Sequence, residues 1–308
     1  VSERRSFALA RGVDLTLEVE ATLFRERTRF QHLEIVETAV HGRMLLLDGI
    51  PQLSSADDFI YHECLVHPAL LAHAAPRRVG IIGGGDGGAL QAALRHACVE
   101  EVVLVEIDAK VLELSKRWFP EVHGGAFDDP RFELVLGDGR AFLADNPGRF
   151  DAILLDLTDA TGPARMLYTQ EFYAIVQRAL RPGGVVGMQA DSPFLEPEAF
   201  GSHVRTTASV FEYARPYAAH IPSFWTRCAF ALLSDLADPQ ALDAPAWAAR
   251  LEQRGVEALD YLTPELLAGL WALPRCDQRL IAASDTISTD AAPFEIGVHS
   301  VPQSVSSA

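Results

Sequence analysis

Five carboxylates stand at or just beyond the carboxyl ends of four apolar segments that read as successive β-strands. Asp86 follows VGIIGG and Glu106 closes VVLVE; Asp138 follows FELVLG, and Asp156 and Asp159 lie in DAILLDLTD. In an open, mostly parallel sheet the ligand crevice lies beyond those ends, so these acids converge on one pocket. Such a pocket suits a cationic, nucleoside-containing ligand better than a phosphorylated one, because like charges repel.

The glycine run Gly83–Gly85, Gly87 and Gly88 lets the backbone turn tightly and approach a ligand with no Cβ in the way. It follows a strand and opens a helix, which is the context that gives such a run meaning. Glu106 comes 20 residues after Asp86, where an acid at the end of the second strand accepts hydrogen bonds from ribose hydroxyls. Asp86 itself argues against a pyrophosphate at the turn. A nucleoside carrying a positive group near Asp86 removes that conflict. Asp138, in a GDG turn, is open to two readings, acceptor for an adenine amino group or N-cap of the next helix.

Beyond the fourth strand, Asp156 and Asp159 in LLDLTDATGPA form a second cluster. Two nearby carboxylates in a partly dry crevice raise each other's proton affinity unless cations compensate. They could hold an ammonium group or take a proton from it. Tyr61 and His62, in FIYHE, could add a hydroxyl and an imidazole from the start of a helix. The other histidines show no ligand spacing and no HExxH occurs, so no metal is expected. No nucleophile-elbow pattern is present either. Tyr168 and Tyr173 read as core or pocket wall.

The chain that must position these groups has 308 residues, enough for one main domain and a smaller appendage. Apolar residues make up 49%, which excludes wholesale disorder. With 42 acids against 26 bases the net charge is −16, which disfavours nucleic acid as a partner and attracts polycations. Cys64, Cys98, Cys228 and Cys276 are scattered, with no CxxC pair to suggest a disulfide framework or structural zinc. No basic-then-apolar leader and no apolar run of about 18 residues is seen, so no membrane association and a cytoplasmic protein are expected.

Residues 1–56 alternate like short antiparallel strands, with turns near His41-Gly42 and Asp48-Gly49, and read as a small β domain. Residues 57–76 read as a connecting helix and linker, with Asp57 and Asp58 at its N-terminus. From Arg77 onward strands and helices alternate, as in a parallel α/β sheet: VGIIG, VVLVEI, FELVL, DAILLD and VVGMQA are the strands. PGG at Pro182–Gly184 closes the helix before the last of these. A further helix and two strands follow near the sheet edge, residues 240–280 read as helical, and ISTDAAPFEI as an extended lid or edge segment. The third domain unit is therefore 77–308.

Taken together, the stretches RFQHLEIVETAVHGRMLLLDG, DDFIYHE, IIGGGDGG, VEID, LGDGR, LLDLTDATGPA, LYTQEFY, LRPGG, IPSF and STDAAPF resemble the polyamine aminopropyltransferase (spermidine synthase) family through nearly the whole chain. The resemblance implies a Rossmann-like sheet of the class I methyltransferase type behind a small antiparallel β domain, and a homodimer or homotetramer. It implies transfer of an aminopropyl group from decarboxylated S-adenosylmethionine, a co-substrate, to a small amine, with release of methylthioadenosine and no further cofactor. It places Gln31, Gln52, His62, Gly84, Asp86, Gly87, Glu106, Ile107, Asp138, Gly139, Ala164 and Leu167 around the donor. Asp156 becomes the base, with Tyr61, Asp159, Gln189, Phe224 and Trp225 around the acceptor.

Three positions depart from the family pattern: Gln91 for an acid, Ala160 for a turn proline, and Phe224 for a tyrosine whose hydroxyl helps to hold a diamine. MQAD likewise stands where many putrescine users read QGE. These forms are similar to relatives that accept agmatine or longer polyamines, so putrescine, agmatine and a triamine all stay open. An S-adenosylmethionine-dependent methyltransferase is the enzyme rival, but its donor carboxylate would face Asp86. A non-catalytic polyamine or nucleoside sensor is the other, although it would have no chemical need for Asp156.

Overall fold

A computed structural model describes residues 2–10, 12–236, 238–256 and 258–296. Alternation does build the first sheet. In β2 (Val13–Arg27) Leu15, Leu17 and Val19 point inward while their neighbours face water. It pairs with β1 (Glu3–Ala10) and β3 (His32–Thr38), followed by β4 (Gly42–Leu47) and β5 (Ile50–Ser54), all antiparallel and in sequence order. Asp48 and Gly49 both have positive φ, 49° and 86°, the geometry of the two-residue turn that matches strand twist. The turn expected there is present.

Helix α1 (Asp58–Ala72) then runs against the second sheet, buried on nearly every side from Ile60 onward. Its Pro68 is accommodated inside the helix. Buried Glu63 accepts hydrogen bonds from the backbone N–H groups of Asp260, Tyr261 and Leu262, at 2.8, 3.0 and 2.9 Å. That satisfies its charge and ties a distant segment to the helix that carries Tyr61 and His62.

The strand–helix alternation gives β6 (Arg78–Gly83), α2 (Gly88–Leu94), β7 (Glu101–Glu106), α3 (Ala109–Trp118) and the short α4 (Pro120–His123). It continues with β8 (Phe132–Leu136), α5 (Gly139–Asp145), β9 (Phe150–Asp156), α6 (Gln170–Ala179) and β10 (Leu180–Gln189). After α7 (Pro197–Ala208) come β11 (Tyr213–Ile221) and β12 (Thr226–Ser234), then α8 (Ala244–Arg254), α9 (Pro264–Gly269) and α10 (Arg275–Ala283). The spatial order is β11-β12-β10-β9-β6-β7-β8: five neighbouring parallel strands, then β12 antiparallel to β10 and β11 antiparallel to β12. Strand order reverses between β6 and β9, so the crevice opens where Asp86 and Asp156 stand.

Two expectations change in detail. Leu180 already pairs with Phe150, and the ladder resumes only at Val185, so Pro182–Gly184 interrupts β10 instead of ending the helix. ISTDAAPFEI joins neither sheet as a strand, having only an isolated bridge from Thr289 to Ala292. It lies instead across the loop after β9: Gln170 N–H donates to Ser288 O, Asp290 meets Arg140, Glu295 meets Arg165, and Ile296 N–H donates to Ala160 O. No helix of the described residues is long and apolar enough to cross a membrane.

Candidate active site

At the end of β6, Gly83 and Gly84 take φ of 80° and 68°, a region that costs most side chains steric strain. A Cβ on Gly84 would sit 2.9 Å from Asp156 Oδ2, so the glycine turn and the β9 acid share one close-packed floor. His62 comes down onto the same floor from α1. Its Nε2 lies 3.2 Å from Asp86 Oδ1 and its Nδ1 lies 3.6 Å from Asp58 Oδ2. Asp86 Oδ1 also accepts the Gly88 N–H, at 2.7 Å. Tyr61, one residue along, donates its hydroxyl to Asp156 Oδ1 at 3.0 Å. Asp156 Oδ2 is buried and accepts no hydrogen bond among the described residues.

Burial disfavours a charge on His62, but the carboxylates of Asp86, Asp58 and Asp156 outweigh it and hold the imidazole well above its usual range. Burial pushes Asp86 the other way, and the His62 charge with the Gly88 N–H overcomes it, keeping Asp86 below the ordinary carboxylate value. Asp156 is pushed up to about 7, first by burial and then by the Asp86 charge, against the pull of His62 and Tyr61. It can therefore exchange a proton near neutrality.

The expected mutual pair of Asp156 and Asp159 is re-sorted. Asp156 takes Asp86 as its anionic neighbour. Asp159 rises to about 8, through burial and then through the charge of Asp191, with which its carboxyl shares a hydrogen bond. The reason is the chain's path: Asp159 turns towards the start of the segment after β10, where Asp191 stands.

Beside this floor a cavity of about 530 Å³ is lined by Thr28, Phe30, Ile107, Asp108, Leu136 and Asp138, among others. Ile107 and Leu136 are 48% and 57% exposed, so two apolar side chains face the opening where a flat heterocycle could cover them. Glu106 is buried beside it and is pushed up to about 7 by burial, despite accepting the Asp108 N–H at 2.9 Å. Asp138 lies exposed on the rim and caps α5 through Ala141 N–H, at 3.0 Å. Gln31 reaches the wall indirectly, donating to Asp108 at 3.3 Å. Gly139 packs on Ile82, and Gly87 abuts Phe127. Ala164 and Leu167 sit in the 3-10 turn Gly162–Leu167 above the site, and neither lines the cavity.

Gln52, Tyr61, His62 and Phe224 border a second, much narrower cleft of about 10 Å³. Phe224 packs edge-on to Tyr61, with ring centres 6.1 Å apart. Trp225, also left-handed at φ 54°, is 56% exposed and points its ring towards His41 instead of into the cleft. Gln189 has little freedom: it donates to the Tyr168 hydroxyl at 2.6 Å and accepts the Asp191 N–H at 2.8 Å.

Asp108 and His203 were not singled out from the sequence. Asp108 is buried, caps α3 and accepts from Thr28 at 2.7 Å, holding the loop that carries Gln31. Its position two residues after Glu106 was the available signal. His203 and Asp191 meet across 12 residues of chain, which no local pattern reveals. His62, Asp86 and Asp156 also offer donor atoms within 4.8 Å of one another, spacing that would suit a cation. A metal does not fit them well, because a protonated imidazole has no lone pair to give.

A glycine turn, the buried Glu106 carboxylate and a buried acid–imidazolium floor define a transferase site on a Rossmann-like sheet. The chain matches the spermine/spermidine synthase domain over residues 58–238 and the spermidine synthase tetramerisation domain over residues 4–55. It is 41% identical to the polyamine aminopropyltransferase of Nitrosomonas europaea, covering 86% of this chain and 82% of that one. It is 40% identical to polyamine aminopropyltransferase 2 of Hyperthermus butylicus, covering 91% and 93%. A spermidine synthase crystallised with the transition state analogue AdoDATO superimposes with a TM-score of 0.84, at 28% identity over 92% of this chain and 95% of that one. This protein belongs to the spermine/spermidine synthase family.

Proposed function

We propose that the protein transfers the aminopropyl group of decarboxylated S-adenosylmethionine to a small polyamine-class amine, releasing methylthioadenosine. The observation that carries this reading is Asp156: an acid poised near 7, bonded by Tyr61 on one oxygen and open on the other, beside Asp86. The amine nitrogen attacks the methylene carbon next to the sulfonium. A C–N bond forms as the C–S bond breaks, the electron pair moves to sulfur, and the surplus amine proton passes to Asp156. Sulfonium is itself a good leaving group, so positioning and partial desolvation carry the rate, and no further cofactor is required.

In this reading Glu106 accepts from the ribose, while Ile107, Asp138, Gly139, Ala164 and Leu167 surround adenine. Gln31, Gln52, Gly84 and Gly87 complete the nucleoside pocket, and Asp86 with His62 faces the donor's aminopropyl end. A donor carboxylate would oppose Asp86 there, which disfavours methyl transfer from the carboxylated donor. Tyr61 and Asp159 orient the acceptor, and Gln189 and Phe224 border its channel, with Trp225 outside it. Residues 1–56 form the oligomerisation unit of a homodimer or homotetramer, 57–76 the connection and 77–308 the catalytic domain. Of that last unit, residues 297–308 lie outside those described.

Phe224 offers no hydroxyl to a distal ammonium, whereas Asp191 and Glu196 lie beyond Asp159. An unpaired buried charge is costly, so the acceptor's second cation is served by those acids, and agmatine or a triamine competes with putrescine. The test is mass spectrometry of products from the donor with putrescine, agmatine and spermidine. Methylthioadenosine with an aminopropylated amine is expected; none with any amine refutes the reading, and strict use of putrescine refutes the shifted acceptor.

A further inference from the structure

We infer that His203 is a positioning residue for the acceptor: from behind the site it fixes Asp191 opposite Asp159, so that the two acids can share one ammonium group of the amine. This rests on the reading of the site given above. His203 lies on α7 and is fully buried. Its Nε2 is 2.6 Å from Asp191 Oδ2. Its ring stacks on Tyr168, with centres 4.5 Å apart and planes inclined by 27°, and Phe294 closes over its edge at 6.4 Å. A ring held on one face and at one edge leaves the imidazole few alternative rotamers.

The network continues from both ends of Asp191. Its N–H is held by Gln189, which donates to the Tyr168 hydroxyl, and that hydroxyl donates to Thr158 O at 2.7 Å. Its backbone is left-handed, φ 59°, a conformation unusual for a side-chain-bearing residue and kept only where the surroundings enforce it. The enforced backbone and the His203 bond aim one carboxylate at Asp159. Asp159 answers by keeping a proton up to about 8, through burial and the Asp191 charge, and Glu196 is raised by burial and the same charge. A proton held between two buried acids can be replaced by a cation. An ammonium group between Asp159 and Asp191 supplies it and releases that proton to solvent.

His203 touches neither the donor cavity nor the Asp156 floor, so its loss should appear in acceptor binding alone. In His203→Leu, an acceptor KM raised about tenfold or more is expected, with kcat within about threefold and methylthioadenosine affinity unchanged. His203→Gln, which keeps an N–H donor, should restore KM to within about threefold of the parent. The discriminating measurement is a double-mutant cycle with Asp191→Asn: if His203 acts through Asp191, adding His203→Leu to Asp191→Asn changes KM no further. Independent, multiplying effects overturn the inference, as does equal loss in kcat and donor affinity. Should His203→Leu fail to fold, a tenfold loss in His203→Gln overturns it and parent-like KM supports it. Calorimetry of spermidine binding to protein saturated with methylthioadenosine needs no turnover. Lack of turnover with spermidine bound sinks the catalytic reading alone, whereas equal spermidine affinity in parent and His203→Leu sinks the role of His203.

Discussion

The two ends of the site, proposed above to take donor and acceptor, each combine buried acids with a histidine, yet the charges around those acids differ. At the donor end His62 lies among Asp58, Asp86 and Asp156, keeps its charge, and holds Asp86 ionised. At the other end His203 meets Asp191 from the far side, and burial with the Asp191 charge pushes Asp159 up to about 8. In the proposed reading this second cluster receives a cation with the substrate. Asp156 stands where the two meet, and its value near 7 suits a group that must take a proton only after the amine is in place.

The largest effect should come from that junction. Asp156→Asn keeps the shape and the Tyr61 contact while removing the base, and turnover with saturating amine should fall by at least about a hundredfold. Methylthioadenosine affinity, read by calorimetry, should hold. Near-normal turnover would mean that the junction is not where the proton goes.

Next comes the nucleoside wall. Glu106→Gln removes the charge that strengthens its bonds to ribose, and donor affinity should weaken by roughly 1.5–3 kcal/mol, with acceptor KM unmoved. A change in acceptor KM of the same size would show that the two ends are not separable.

The smallest effect is on stability. An aspartate titrates near 3.9 in the unfolded chain, whereas Asp156 and Asp159 titrate at about 7 and about 8 in the fold. Between those limits the folded protein holds protons that the unfolded chain has released. Its stability is therefore fully present below about pH 4 as far as these groups go, and is lost as pH rises through about 8. The melting temperature of the ligand-free protein should fall by a few degrees between pH 6 and pH 9, and by less in Asp159→Asn. A melting temperature that climbs across that interval would contradict the assignment of protons to the acceptor end.

Much of the donor end was legible in the sequence because parallel strands deliver their last residues to one edge. Asp86, Glu106, Asp138 and Asp156 each close or follow an apolar run, so strand topology alone brings them together. Tyr61 and His62 arrive from a helix whose start the sequence marks with Asp57 and Asp58. The acceptor end resisted the same logic. Asp191 lies beyond β10 in a left-handed backbone, and its partner is on the inner face of α7, where a buried histidine looks like packing. Asp108 was hidden by a double role, as helix cap and as pocket wall. Pairing Asp156 with Asp159 trusted nearness in sequence, and the loop geometry gave each a different neighbour. Trp225, expected at the channel, is more than half exposed and has its ring against His41.

The segment from Ser288 to Ile296 is joined to the loop after β9 at its two ends, through Gln170 beside the loop and Ala160 within it, and by ionic contacts to Arg140 and Arg165. That loop carries Asp159, Ala164 and Leu167, so residues proposed above to serve the two substrates are fastened by chain that follows every sheet strand in sequence. A nascent polypeptide emerging from the ribosome would possess its whole seven-stranded sheet, and with it the floor of the site, before it could fasten that loop. Competence to hold both substrates is thus acquired only after the sheet is complete.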